Sequence, residues 1–146
     1  MTATARSLAL TRAAAQAAAD KLAHDVVAYD VSEVLAITDA FLVASAPNDR
    51  QVRSVVDAIE ETLLKELGAK PARREGEREG RWVLLDYVDI VVHVQHTQER
   101  VFYALERLWK DCPEIDLPPD AVATRGRAAE YAAAHAGAGS DEGQPR

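Results

Sequence analysis

Cysteine is almost missing from this chain: Cys112 is the only one in 146 residues. That excludes an internal disulfide and a cysteine-based zinc knuckle, and it fits a reducing compartment. Nothing around Cys112 activates a thiol, so it reads as inert. Long hydrophobic runs are also missing. None approaches the length needed to cross a bilayer, and the N-terminal MTATARSLALTRAAAQAAADK turns polar before any secretory cleavage pattern. The chain is predicted to be soluble and cytoplasmic. Positive charge is scarce as well: 17 basic against 24 acidic residues give a net charge of -7. Such a balance argues against a nucleic-acid backbone as direct ligand, because no basic surface stands ready to release counterions. No glycine-rich phosphate cradle and no repeat period occur.

What is present suffices for one core, since 48% of the residues are hydrophobic. The domain is predicted to span residues 1–110. From Asp111 onward the chain is acidic and rich in Pro, Ala and Gly, beginning DCPEIDLPPD and ending AAAHAGAGSDEGQPR. With few large apolar side chains to bury, residues 111–146 are predicted to be a disordered tail.

Within the body, the alanine-rich stretch Leu8 to Leu22 suits a helix lying on a surface. VVAYDVS (Val26 to Ser32) and AFLVASA (Ala40 to Ala46) read as two strands joined by a brief loop, which would allow a hairpin. Asn48 can cap a helix whose stripe of Val52, Val55, Val56, Ile59, Leu63, Leu64 and Leu67 ends at Gly68 and Pro71. KPARREGEREGR alternates charge sign without aromatics and reads as a solvated edge strand and loop. TQERVFYALERLWK is predicted as one helix capped by Thr97, with Val101, Ala104, Leu105, Leu108 and Trp109 facing the sheet. The sum is an α/β chain, a mixed α+β sandwich.

Trp82 to His96, WVLLDYVDIVVHVQH, places Asp86 and Asp89 in the middle of strand formers. On one continuous strand they would face opposite sides and share no cation; with a tight turn at Tyr87 and Val88 they become neighbours. A turn role explains them without a metal, since Asp side chains bond backbone N–H groups of turns and no further carboxylates gather nearby. His93 and His96 also point to opposite faces, and His93 among valines reads as a packed histidine with one hydrogen bond. No serine or cysteine nucleophile has an activating neighbour. No metal or other cofactor is called for.

DAFLVASAPNDRQV, EG followed by WVLLDYVDIVVHV, and ERVFYALERLW together resemble the ribosomal silencing factor family, also called RsfS or Iojap, over residues 14–109. The resemblance implies a nucleotidyltransferase-like fold without catalytic residues. It implies a protein that binds the large ribosomal subunit through ribosomal protein fourteen, blocks joining with the small subunit and so represses translation. It suggests a homodimer too, for which exposed strand edges are a plausible route. The family usually has glycine where this chain has Val88, which points to a hairpin turn there. The residues expected to meet the partner are Trp82, Asp86, Tyr87, Asp89 and His93. Asp86 and Asp89 would offer acidic groups to a basic surface, while Trp82 and Tyr87 would act as apolar anchors, although Trp82 also reads as core. Two other classes are a metal-dependent nucleotidyltransferase and a structural dimer module.

Overall fold

The computed structural model describes residues 2–136. They form α1 (Ala5–Asp20), β1 (His24–Asp30), β2 (Ala40–Ala46), α2 (Asp49–Leu67), β3 (Arg73–Glu75), β4 (Trp82–Asp86) and β5 (Ile90–His96). Four short helices follow: α3 (Thr97–Tyr103), α4 (Leu105–Leu108), α5 (Pro119–Val122) and α6 (Arg127–Ala134). The strands make one mixed sheet in the order β1-β2-β5-β4-β3, antiparallel except for the β2·β5 pair. The predicted α/β sandwich and the β1·β2 pairing are both found.

Alternation divides the sheet. Ala40, Leu42, Ala44 and Ala46 of β2, Val83 and Leu85 of β4, and Ile90, Val92 and Val94 of β5 turn to the side covered by α1 and α2. Asn48 caps α2, its side chain accepting from Gln51 N at 2.8 Å, and Gly68 ends it in the left-handed region at φ 63°. The alanine-rich helix is not the surface element expected. Ala14, Ala15, Ala17 and Ala18 are buried, because small side chains let α1 approach α2, β1 and β2 closely.

Two further expectations are corrected. First, the chain has no boundary near Lys110. Ile115 and Ala121 belong to the main core, and residues 113–125 line the free edge of β1. There Asp30 N donates to Pro113 O (2.8 Å), Ile115 N to Ala28 O (2.9 Å) and Arg125 Nε to Val26 O (3.0 Å). The polar composition misled because this segment is held chiefly by hydrogen bonds to an unpaired strand edge. The expected disorder is thus overturned for residues 113–134, and residues 137–146 lie outside the described part. Second, the helix after β5 is not continuous. Ala104 takes φ 45° and splits it, and α4 buries no residue. The N-cap of α3 is His96, whose Nδ1 accepts from Gln98 N, while Thr97 Oγ1 instead donates to Ala46 O.

Candidate partner-binding face

The sheet side opposite α1 and α2 carries three rows set by the register. Asp86 lies beside Val91 and Phe41, Leu84 beside His93 and Val43, and Trp82 beside Gln95 and Ser45. Only part of this side is covered. Phe41 packs with Trp109 over Val27, Tyr29, Val31 and Val43. Beyond them an open groove of about 570 Å³ is walled by Leu35, Ile37, Leu84, Val88, Val91, Leu105 and Leu108. Ile37 is 85% exposed, and Val101 and Phe102 on α3 are 74% and 79% exposed. So much apolar surface on one side of a sheet marks an interaction site.

An aromatic string crosses this side. Ring centroids run Trp109 to Phe41 (5.0 Å), Phe41 to His93 (5.3 Å), His93 to Trp82 (6.0 Å), Trp82 to Tyr103 (4.8 Å) and Tyr103 to Phe102 (4.9 Å). Trp82 is half-buried and its Nε1 donates to His93 Nδ1 at 3.0 Å. Gly76 makes room for this strand start, since a Cβ there would lie 1.9 Å from the Trp82 carbonyl. His93 is 6% exposed, and burial lowers its pKa to about 4. It is the packed histidine, with its one hydrogen bond, that the sequence suggested.

The five residues expected to meet a partner do not all gather. Trp82, Asp86 and His93 share the open side. Tyr87 is corrected: it is buried in the main core, on the α2 side, and burial pushes its hydroxyl up to about 12. The turn lies one residue later than predicted, with Val88 and Asp89 at its centre, so alternation sends Tyr87 inward. Tyr87 N donates to Ile90 O (2.9 Å), and Val88 adopts φ 71°, a value costly for a β-branched residue. Asp86 shapes this turn, its Oδ1 accepting from Val88 N at 2.8 Å, and its Oδ2 sits 3.5 Å from Arg73 Nη2. Asp89 is exposed, and its carbonyl accepts from Asp39 N and Thr38 Oγ1. Among the described residues no three His, Cys, Asp or Glu side chains converge as a metal site needs, and no helix is long and apolar enough to cross a membrane. Sequence reasoning missed Leu84, Phe41, Val91 and Ile37; pairing β5 with β2 on one side and β4 on the other would have found the first three, and Ile37 lies in the loop between β1 and β2, where no periodicity marks a face.

The profile of the family described as "Ribosomal silencing factor during starvation" matches residues 4–142. The chain belongs to the ribosomal silencing factor family. A ribosomal silencing factor of Bacillus subtilis is 40% identical over 108 residues, covering 74% of this chain and 91% of that one. The chloroplastic Iojap protein of Zea mays is 29% identical, over 80% of this chain and 50% of its own length. A crystal structure of a Bacillus halodurans protein, 36% identical, superposes with a TM-score of 0.65 over 75% of this chain and 98% of that one. One from Chromobacterium violaceum, 31% identical, gives 0.66 over 70% and 84%. In this ribosomal silencing factor, then, the open side of the sheet is the surface whose use has to be explained.

Proposed function

We propose that the protein represses translation without catalysing a reaction, by docking the open side of its sheet on the large ribosomal subunit in the cytoplasm. The contact is ribosomal protein fourteen, and the bound protein keeps the small subunit from joining. The observation that carries this reading is the apolar groove and aromatic string, a contiguous patch that a solitary chain would leave in water. The family's name supports the ribosome as target, and the net charge of -7 favours a basic protein partner over bare RNA. The free chain is a homodimer in this reading. Because residues 113–125 cover the β1 edge and β3 is a three-residue charged strand, self-association uses the same apolar side and not a strand edge.

Sedimentation of the protein with separated ribosomal subunits tests the proposal. It is expected to travel with large subunits, not with small ones, and to reduce formation of joined ribosomes when both are mixed. Co-migration with small subunits alone overturns it.

A further inference from the structure

Two residues that line the groove carry buried hydrogen-bond donors for which the described residues supply no acceptor. The indole of Trp82 can only donate, so His93 Nδ1 is the accepting nitrogen and the proton of the neutral ring sits on Nε2. That Nε2 is buried and bonded to nothing among the described residues, and so is Nε1 of Trp109. Both residues line the groove, whose other walls are mostly aliphatic. An unpaired buried donor is costly to keep, and leucine or phenylalanine would fill either place without that cost.

Both groups are donors, so what completes them is an acceptor. Asp86 and Arg73 line the same groove 3.5 Å from each other, so their charges largely offset and the groove holds no net charge to recruit an ion. A neutral carbonyl oxygen on an otherwise apolar segment is the chemistry that fits. Neither nitrogen touches water in the free chain, so the segment has to part the groove wall to reach them. That wall includes Leu105 and Leu108 of α4, the four-residue helix that buries nothing and hangs from the strained Ala104.

We propose that His93 is a specificity-determining donor: its Nε2–H bonds a backbone carbonyl of an apolar segment of the large-subunit protein that enters the groove beneath α4. This rests on the ribosome-docking reading above. The donor rejects segments that bring no acceptor, because they would leave it buried and unpaired.

Dissociation of the full-length chain from purified large subunits tests this. His93→Phe keeps a ring but removes the donor, and is expected to fold with an unchanged or higher thermal midpoint yet to dissociate at least ten times faster. His93→Gln, which retains an N–H donor, is expected to recover part of the loss and serves if the Phe variant folds poorly. Because His93 also holds Trp82, the comparison is repeated in a Trp82→Phe background; a further acceleration by His93→Phe there supports direct contact. No further acceleration means that His93 acts through Trp82 alone, and the inference fails. Wild-type rates in His93→Phe overturn it while leaving ribosome docking intact. Wild-type protein that binds no large subunits overturns the docking reading and this inference with it. Weakened self-association with unchanged subunit binding assigns the donor to a second copy of the chain, and again overturns it.

Discussion

At His93 the surroundings decide the charge. Packed against Phe41 and Trp82 and shut from water, the ring stays neutral down to about pH 4, whereas an unfolded chain takes up its proton near 6.5. Between those values the unfolded state binds more protons, so stability is complete above pH 6.5 and declines as pH falls toward 4. The loss at pH 4 amounts to roughly 3 kcal/mol from this residue. His24 and His96, both lowered chiefly by burial, act in the same direction. Urea unfolding at pH 7 and pH 4.5 measures the effect, and His93→Phe should flatten the difference; an equal pH dependence in that variant means the ring charges while folded. Val88 makes the second residue-scale prediction. It holds φ 71° on an exposed turn, so Val88→Gly should stabilise the chain by about 1 kcal/mol, read as a higher urea midpoint at constant slope. An unchanged or lower midpoint rules out strain at this turn.

At the scale of elements, the break at Ala104 gives a test whose sign discriminates. The stripe Val101, Ala104, Leu105, Leu108 reads as one helix, in which Ala104→Gly costs about 1 kcal/mol. In the split form, with Ala104 at φ 45°, the same change should stabilise by up to about 1 kcal/mol. A lower thermal midpoint for Ala104→Gly shows a continuous helix in solution. The contrast with α2 explains what was legible. Asn48, the buried stripe Val52, Val55, Val56, Ile59 and Leu63, and Gly68 agree at every level, so that helix follows from local rules, and of the predicted stripe only Leu64 turns outward. The break after α3 depends on remote partners instead. Arg100 is drawn inward, donating to His24 O, Ser45 Oγ and Glu106, and no local pattern announces those contacts. In α1 the alanines gave the helix but concealed its burial, since the same composition serves a solvated surface and a tight contact. Of the candidate site, the turn role of Asp86 and the packing of His93 were legible from local rules, Trp82 was named through the resemblance, and Tyr87 was misplaced by a one-residue error in the turn.

The molecule as a whole depends on the segment after Lys110 more than composition suggested. Ending the chain at Lys110 removes Ile115 and Ala121 from the core and strips the partners of β1. Truncation there should therefore destabilise by at least about 3 kcal/mol. Full stability of the shorter chain in urea would return the boundary to Lys110.

Charge and apolar surface act on binding in different ways, and kinetics separates them. The chain's negative charge draws a basic surface from a distance, and Asp89 is an exposed contributor beside the groove, while Asp86 is partly neutralised by Arg73 and occupied by the turn. Asp89→Asn should therefore slow association with large subunits by a small factor that vanishes as salt rises, and Asp86→Asn, whose amide oxygen still accepts from Val88 N, should do less. Trp82 belongs to the second kind of effect. It joins the groove floor to the exposed Tyr103 and Phe102, so Trp82→Ala removes the middle of the aromatic string. An anchor of this kind is worth on the order of 2 kcal/mol, about thirty-fold in affinity, and its loss appears as faster dissociation at every salt concentration. Stopped-flow association and chase dissociation at low and high salt supply both rates. If Trp82→Ala binds and leaves like the wild type while remaining folded, the open side of the sheet is not the docking surface, whatever the charge variants do.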